Sequence, residues 1–298
     1  MHSVGMLRLG ILGYPIKHTL SPRLHAEIMR IMNVNGQYKA YEIAPEQLPE
    51  SLEDLGQRGI RGLNVTIPHK IAVMSLMDKL HPEAELAGAV NTVVMENFGA
   101  HKTGYNTDIT GFIRSLPPGV TDRLPESSIL VLGSGGSARA VLTALIGMGT
   151  ADVTFAVRSP NKAVSLTGNA ELIKQYYSSK TQINVVSLFS LPSLESFQGV
   201  VNTTPVGMWP EENATLVSRI QLENLPAGAF VYDLIYRPLQ TRLLQDAAEL
   251  GYLAINGLDM LIHQGVASFE LWQDTPVPTD LIDPLRQHLT QALAAETH

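Results

Sequence analysis

The fold of this chain is indicated by one stretch, SILVLGSGGSA, at residues 128–138. An apolar run of β-strand character leads into a G-x-G-x-x-A turn, and residues at helical spacing follow over 139–148. A glycine turn between a strand and a helix is typical of a dinucleotide site, because Gly133 permits the tight turn and Gly135 lets the backbone approach a pyrophosphate. The stretch therefore predicts a doubly wound α/β sheet with a dinucleotide at this turn. A glycine-rich turn that binds no ligand is the alternative.

The next predicted strand ends in residues that favour a phosphorylated ribose. An NAD enzyme commonly places Asp or Glu there, about 20 residues after the glycines, to bind the ribose 2′-hydroxyl. Here Arg158, Ser159 and Lys162 follow Asp152–Val157. A guanidinium pairs with a 2′-phosphate, whereas an acid repels it, so the sequence favours NADP. Arg158 as an ordinary solvated side chain is the alternative.

Short strand-like runs and amphipathic stretches alternate along the rest of the chain, which is typical of β/α units. The turn-rich residues 117–119 indicate a change of domain. Strands are predicted at 9–12, 38–43, 63–67, 200–202, 230–234 and 253–255, and helices at 21–32, 47–57, 258–272 and 281–295.

Composition narrows the class of protein. With 298 residues and 45% hydrophobic content, the chain can form two domains with cores of their own. A net charge of −7 argues against broad nucleic-acid binding, and the absence of Cys excludes disulfides and thiolate chemistry. The nine histidines show no His-x-x-x-His spacing, so we expect no metal. No apolar run is long enough to span a bilayer, and we expect a cytoplasmic protein.

Two polar clusters lie near the predicted strand ends of the first half. In the first, residues 18–22, Thr19 and Ser21 stand before a helix, where capping of the helix and binding of a carboxylate are equally consistent with the pattern. In the second, residues 64–70, Asn64 and Thr66 lie on one face of a strand, and Pro68 is predicted to start a helix with Lys70 in its first turn. A helix dipole disfavours a cation there, so a proton donor is one interpretation of Lys70 and a solvated surface lysine is the other.

Two further clusters carry Asn91, placed within a β-branched strand, and Asn106 with Asp108 after a turn. Turn formation is the alternative role for Asn106 and Asp108. An acid close to Lys70 would hold its ammonium in position. The spacing alone does not establish that these side chains meet.

Taken together, the clusters resemble the shikimate dehydrogenase family, in the same order along almost the whole chain. The resemblance rests on the segments already quoted and on those around Gly13, Gly88, Asn202, Asp233 and Gly257. It implies an N-terminal α/β substrate domain at 1–109, completed by C-terminal helices at 259–298, a Rossmann-type NADP domain at 110–258 and an active-site cleft between them. It also implies NADPH-dependent reduction of 3-dehydroshikimate to shikimate in aromatic amino acid biosynthesis, by a monomer or homodimer.

The resemblance also assigns roles to individual residues. Lys70 and Asp108 would be the catalytic pair. Substrate would be bound by Thr19, Ser21, Asn64, Thr66, Lys70, Asn91, Asp108, Tyr236 and Gln264, with the carboxylate at Thr19, Ser21 and Tyr236. The cofactor would be bound by Gly133, Gly135, Gly136, Ser137, Ala138, Arg158, Ser159, Leu234 and Gly257.

Three positions depart from the family pattern and keep alternatives open. Thr19 replaces a more usual Ser near the carboxylate, which leaves a quinate/shikimate dehydrogenase as one alternative. Val157 and Ser159 replace the usual Asn and Thr around Arg158, which leaves use of NAD open. A non-catalytic regulator that binds NADP and a metabolite is the alternative from another class, and the presence of both Lys70 and Asp108 argues against it.

Overall fold

The computed structural model describes residues 6–16, 19–160 and 163–296. It divides the chain into two compact units, one formed by residues 1–111 and 262–298 and the other by residues 112–261. Each unit is built around its own six-stranded sheet. None of the helices in the described ranges is long and apolar enough to cross a bilayer.

The sheet of the first unit is mixed. Its order is β2-β1-β3-β5-β6-β4, where β1 is parallel to β2 and β3, and β5 runs antiparallel to β3 and β6. Apolar side chains from its strands and flanking helices form the core, because each strand turns alternate residues toward the layer that covers it. The strands are β1 Leu7–Gly13, β2 Gly36–Glu42, β3 Gly62–Val65, β4 Lys79–Leu80, β5 Thr92–Glu96 and β6 His101–Tyr105.

Helices of the first unit include the amphipathic α1 and α2, which bury Leu24, Ile28 and Leu52. The bounds are α1 Ser21–Ile31, α2 Leu48–Gln57, α3 Pro82–Ala87 and α11 Ile282–Glu296, and α10, Leu258–Gln273, belongs to this unit from Ile262 onward. Helix α4, Thr107–Ser115, continues across the boundary between the units. The turn-rich residues 117–119 lie within the second unit, where Pro118 and Gly119 belong to the short helix α5, Pro118–Thr121.

The second unit is a doubly wound parallel sheet with the order β12-β11-β10-β7-β8-β9. The strand order reverses between β7 and β10, and ligands of such sheets bind at the carboxyl ends of the strands at this point. The strands are β7 Ser128–Leu132, β8 Asp152–Val157, β9 Gln182–Ser187, β10 Gly199–Asn202, β11 Phe230–Asp233 and β12 Leu253–Ile255. The helices are α6 Gly136–Gly147, α7 Val164–Tyr177, α8 Arg219–Leu222 and α9 Arg242–Glu249.

One local prediction in the first unit was wrong. Pro68 starts no α-helix: residues 67–71 form turns, and a 3-10 helix begins only at Ala72. The segment is held in this form because the Lys70 carbonyl accepts a hydrogen bond from Val90 N, and the buried His69 ring contacts the Ile43 carbonyl. Lys70 is therefore placed by pairing with a distant segment, and the helix-dipole argument for its chemistry does not apply.

Candidate active site

Lys70 and Asp108 form a close ion pair in the first unit. Lys70 Nζ lies 2.5 Å from Asp108 Oδ2, and the two side chains are 12% and 7% exposed. Lys70 comes from the turn after β3 and Asp108 from the first turn of α4. A lysine and a carboxylate that are largely removed from water and in contact can move a proton along a defined direction.

Asn91 fixes the other oxygen of this carboxylate. Its Nδ2 donates to Asp108 Oδ1 at 2.7 Å, and its Oδ1 accepts from Thr107 N at 2.7 Å. Gln264, on α10, places Oε1 3.4 Å from the same Nδ2. Asn91 immediately precedes β5 rather than lying within it, which is a one-residue correction to the predicted strand. The carboxylate of Asp108 is thus held between an amide on one oxygen and an ammonium on the other.

A cluster of buried hydroxyls lies behind these groups. We call Thr92, Thr107 and Ser268 the hydroxyl cluster; their oxygens are 2.8 to 3.0 Å apart. Ser268 is fully buried on α10, one turn beyond Gln264, and its hydroxyl also donates to the Gln264 carbonyl at 2.9 Å. The cluster ties α10 to the start of β5 and to α4, so it sets the orientation of Asn91.

Hydrogen bonds within the protein use most of the donor and acceptor capacity of the Asn64 side chain. Its Nδ2 donates to Ser268 Oγ at 2.9 Å and to Thr92 Oγ1 at 3.1 Å, while its Oδ1 accepts from Tyr38 Oη at 2.7 Å. Both amide hydrogens are therefore engaged, and a second lone pair on Oδ1 is the capacity that remains. Toward a substrate hydroxyl, Asn64 can serve as an acceptor.

The first polar cluster forms a small pair of hydroxyls at the start of α1. Thr19 Oγ1 lies 3.2 Å from Ser21 Oγ and accepts from Ser21 N at 3.2 Å. The helix begins at Ser21, and its N-cap residue, Leu20, provides no side-chain hydrogen bond, so Thr19 Oγ1 is the side-chain acceptor for the first helical N–H. Ser21 is 3% exposed, whereas Thr19 and Thr66 are partly exposed. His18, quoted with this cluster, lies outside the described residues.

The glycine turn has the geometry that its sequence predicts. Gly133 has φ +108°, a conformation that favours glycine, and a Cβ there would lie 2.8 Å from side-chain atoms of Thr203 and Thr204. A Cβ on Gly135 would meet no atom within 4 Å, so this backbone faces open space. Helix α6 begins at Gly136, continues through Ser137 and buries Ala138 completely. The turn therefore presents an open helix N-terminus, which suits a pyrophosphate.

A buried carboxylate organises the neighbouring strand ends. Asp233, at the end of β11, is fully buried and accepts hydrogen bonds from Thr241 Oγ1 at 2.7 Å, Asn202 Nδ2 at 3.0 Å and Ile235 N at 3.1 Å. Asn202 Oδ1 in turn accepts from Thr204 N and Oγ1. Burial raises the pKa of Asp233 to about 6. This network fixes residues 203–206 beside the segment that follows β11.

Leu234 and Gly257 are brought together by this segment. Gly257 N donates to the Ile235 carbonyl at 3.0 Å, and a Cβ on Gly257 would overlap the Leu234 carbonyl oxygen. Any side chain at position 257 would push these two backbones apart. Tyr236, partly buried, follows two residues after Leu234.

Arg158 and Ser159 are exposed and directly follow β8. They lie in the connection to α7, at the same carboxyl edge of the sheet as the glycine turn, because β8 is parallel to β7 and adjacent to it. Lys162, the third residue predicted for this group, lies outside the described residues. The part of the connection that is described thus offers a guanidinium and a hydroxyl to solvent.

Several residues of these networks were missed by the sequence predictions. Ser268 was not identified because it resembles an ordinary helix residue, and 204 positions separate it from its partner Asn64. Tyr38 was assigned only to a strand. Thr92 and Thr107 are adjacent in sequence to the candidates Asn91 and Asp108, but the sequence analysis gave them no role. Asp233 was quoted for resemblance alone, and Thr241, which caps α9, carried no local signal beyond that of a helix N-cap.

The fold and these networks define a class, namely α/β proteins that combine a Rossmann-type unit with a second α/β unit containing a buried Lys-Asp pair. Family models agree with this description: residues 11–93 match the shikimate dehydrogenase substrate binding domain, and residues 257–283 match the shikimate 5′-dehydrogenase C-terminal domain. The shikimate dehydrogenase (NADP(+)) of Symbiobacterium thermophilum is 39% identical over 96% of this chain and 94% of the relative. The chain belongs to the shikimate dehydrogenase family.

Solved structures agree over nearly the whole chain. A chorismate mutase/shikimate 5-dehydrogenase fusion protein from Clostridium acetobutylicum superposes with a TM-score of 0.84 at 30% identity, covering 98% of this chain and 100% of the other. Shikimate 5-dehydrogenase from Thermus thermophilus, in complex with NADP(H) and shikimate, gives a TM-score of 0.77 at 32% identity, covering 95% and 100%.

Proposed function

We propose that this protein is an NADP-dependent shikimate dehydrogenase that interconverts shikimate and 3-dehydroshikimate in the pathway to aromatic amino acids. The observation that carries the proposal is the 2.5 Å contact between Lys70 and Asp108 inside a buried polar cluster. The family membership supports it, since relatives that are 39% and 40% identical to this chain are named shikimate dehydrogenase (NADP(+)). The solved structure of shikimate 5-dehydrogenase from Thermus thermophilus, which resembles this chain, contains NADP(H) and shikimate together.

Lys70 is the proton donor and acceptor of the proposed reaction. When bound, NADPH supplies a hydride to the 3-keto carbon, and NADP⁺ accepts one from C3 in the reverse direction. As the carbonyl is reduced, its oxygen gains negative charge, and Lys70 Nζ gives it a proton. In the oxidation of shikimate, Lys70 takes the hydroxyl proton as the C3 hydride leaves. A positioned proton donor of this kind accelerates such a step by about 10²- to 10⁴-fold.

Asp108 and Asn91 position Lys70 and the reacting hydroxyl. Asp108 Oδ2 accepts from Lys70, and the 2.7 Å hydrogen bond from Asn91 to Oδ1 prevents the carboxylate from rotating. The remaining lone pairs of Asp108 can accept from a neighbouring ring hydroxyl. We assign Asn91, Thr66, Gln264 and the free acceptor of Asn64 to the ring hydroxyls, since a site built to hydrogen-bond hydroxyls rejects compounds that lack them.

Thr19 and Ser21 are proposed to bind the carboxylate of the substrate. Their hydroxyls lie 3.2 Å apart at the start of α1, so each can turn its hydrogen toward an anion. Tyr236 keeps the role in carboxylate binding that the family resemblance implies. The additional methyl group of Thr19, relative to the more usual Ser, changes the space near C1, which is where quinate carries a hydroxyl that shikimate lacks. Quinate oxidation is therefore the second candidate activity.

The residues of the second unit fit NADP. The open backbone at Gly135 and the start of α6 at Gly136 and Ser137 suit the pyrophosphate, with Gly133 forming the turn and Ala138 packing the helix on the sheet. Leu234 and Gly257 offer backbone to the nicotinamide, and Arg158 with Ser159 offers a charge and a hydroxyl to the 2′-phosphate. A cytoplasmic location and a monomeric or homodimeric state remain predictions.

The test is an initial-rate assay of the purified protein, in which shikimate and quinate are each paired with NADP and NAD. The proposal predicts fast formation of reduced nicotinamide with shikimate and NADP, and much slower turnover for the other three pairs. Comparable turnover with quinate or NAD would move the assignment to a quinate/shikimate dehydrogenase. Tight binding of shikimate without turnover of any pair would contradict the proposal and favour a regulator.

A further inference from the structure

A buried guanidinium lies next to the glycine turn and has no role in the proposed reaction or in the proposed cofactor contacts. Arg139 follows Ala138 on α6 and is 6% exposed. Among the described residues, its side chain makes one hydrogen bond, from Nη2 to Ser165 Oγ at 2.7 Å, and its Nε has no partner. Burial lowers the pKa of Arg139, although a guanidinium remains charged at neutral pH.

Such an arrangement is unfavourable for the protein alone. A buried charge costs free energy unless an opposite charge or a full set of hydrogen bonds compensates it. Arg139 has a single neutral partner among the described residues, so its charge is compensated poorly when no ligand is bound. An anion close by would remove this cost. A residue of this kind is therefore expected where the bound ligand supplies the counter-charge.

The partner of Arg139 indicates which part of a dinucleotide that anion is. Ser165 lies in the first turn of α7, the helix that follows the connection carrying Arg158 and Ser159. Arg139 thus links the start of α6 to the start of α7. The connection between β8 and α7 is the one that meets the adenosine ribose in Rossmann-type folds. The 2′-phosphate that distinguishes NADP from NAD is attached to this ribose.

We propose that Arg139 is a specificity-determining residue that favours NADP over NAD by placing a buried positive charge behind the 2′-phosphate. The inference rests on the proposed use of NADP and goes beyond it, because that proposal assigns the 2′-phosphate to the exposed Arg158 and Ser159 and gives Arg139 no role. A charge in a medium of low polarity acts over a longer distance than one in water, so Arg139 can favour the phosphate without touching it. The ribose 2′-hydroxyl of NAD is neutral, so the charge of Arg139 does not attract it as it would attract the 2′-phosphate of NADP.

The experiment compares Arg139→Gln, which removes the charge and keeps a hydrogen-bond donor for Ser165, with Arg139→Lys, which keeps a charge. Dissociation constants for NADP and NAD are measured by titration calorimetry, and kcat and KM are measured with shikimate. We expect Arg139→Gln to weaken NADP binding about tenfold, a loss typical of one charged interaction, with NAD binding within about twofold of the wild type. Arg139→Lys should recover most of the loss, and kcat should be unchanged.

Ser165→Ala is the matched control, because it removes the hydrogen bond and keeps the guanidinium. Its ratio of NADP to NAD affinity should stay within about twofold of the wild type. Equal weakening of NADP and NAD by Arg139→Gln would contradict the proposal and indicate a packing or pyrophosphate role. If Arg139→Gln does not fold, Arg139→Met, which removes the charge and keeps an unbranched side chain, takes its place, and a ratio of NADP to NAD affinity equal to that of the wild type would contradict the proposal.

These outcomes can be separated from failure of the proposed function. Binding of the two cofactors is measured without turnover, so the role of Arg139 is decided even if shikimate is not a substrate. Conversely, wild-type turnover of shikimate with NADP, together with an affinity ratio that Arg139→Gln leaves unchanged, would leave the proposed function intact and overturn the role of Arg139.

Discussion

The two candidate sites of this protein differ in the groups that form them: side chains in the first unit and mainly backbone in the second. In the first unit, the site consists of side chains that hydrogen-bond to one another. Asn64, Asn91 and Asp108 each have two or more hydrogen-bond partners within the protein. In the second unit, the site consists mainly of backbone, with an open turn at Gly135 and close backbones at Leu234 and Gly257. The site in the first unit is a pre-formed hydrogen-bond network, whereas the site in the second unit is a backbone surface that is open at the glycine turn.

This difference matches the two tasks that we propose. Proton transfer requires atoms held at fixed distances, and a buried network provides such order because every alternative orientation leaves a polar group unsatisfied. A dinucleotide carries most of its own polar groups, so the protein needs to provide shape, backbone donors and a few charges. In this proposal, the first unit carries out proton transfer and the second unit selects the cofactor.

The largest effect is expected at Lys70. Lys70→Met should lower kcat for shikimate oxidation by about 10²- to 10⁴-fold, because the proton donor is lost, while the dissociation constant of shikimate changes only a few-fold. Lys102→Met is the control, since Lys102 is also a buried lysine of this unit, ion-paired to Glu53 at 3.0 Å. It should retain kcat. A rise in KM with kcat unchanged for Lys70→Met would contradict the catalytic role.

The next effect concerns Asp233 and depends on pH. Its pKa is raised by burial to about 6, above its unfolded value, so its contribution to stability is fully present below about pH 4 and is lost as pH rises through 6. The free-energy cost of Asp233→Asn should therefore shrink by about 2 to 3 kcal/mol between pH 4 and 7. Urea unfolding of both proteins at several pH values measures this. A cost that grows with pH would show that Asp233 is ionised throughout.

Ser268→Ala is expected to destabilise the first unit. The substitution removes the hydroxyl that serves Asn64, Thr92 and Thr107, and a buried polar group left without a partner costs about 1 to 3 kcal/mol. Denaturant unfolding measures the change. Ser75→Ala removes an exposed hydroxyl in the same unit and should cost less than about 0.5 kcal/mol. Equal costs for the two variants would mean that the hydroxyl cluster does not order the site.

The smallest predicted effect is at Arg158. Arg158→Ala should raise KM for NADP about tenfold and leave KM for NAD and kcat nearly unchanged, because one charged contact to the 2′-phosphate is lost. Arg123→Ala, which removes another exposed arginine of the same unit, should leave the NADP to NAD preference as it is. An unchanged preference in Arg158→Ala would leave Arg158 as a solvated surface residue.

The same contrast explains how much could be predicted from the sequence. The glycine turn is encoded in 11 consecutive residues, so its strand, turn and helix were predicted correctly. The network of the first unit joins residues far apart, as in the contact between Asn64 and Ser268, and no local pattern reports such pairs. Lys70 was identified as a candidate through an incorrect helix, because the pairing of its carbonyl with Val90 is also nonlocal. Arg139 was missed because burial cannot be distinguished from exposure in a single helix turn.

The double variant Lys70→Met/Arg158→Ala, compared with both single variants, tests whether proton transfer and cofactor selection are separate functions of the two units. The measurement is the transient rate of nicotinamide reduction by shikimate, recorded with saturating NADP and with saturating NAD, together with the affinity for each cofactor. If the two units act independently, the double variant should have the hydride-transfer rate of Lys70→Met and the cofactor affinities of Arg158→Ala, since independent contributions add in free energy. A hydride-transfer rate that depends on the residue at position 158, or a cofactor preference that depends on the residue at position 70, would contradict it.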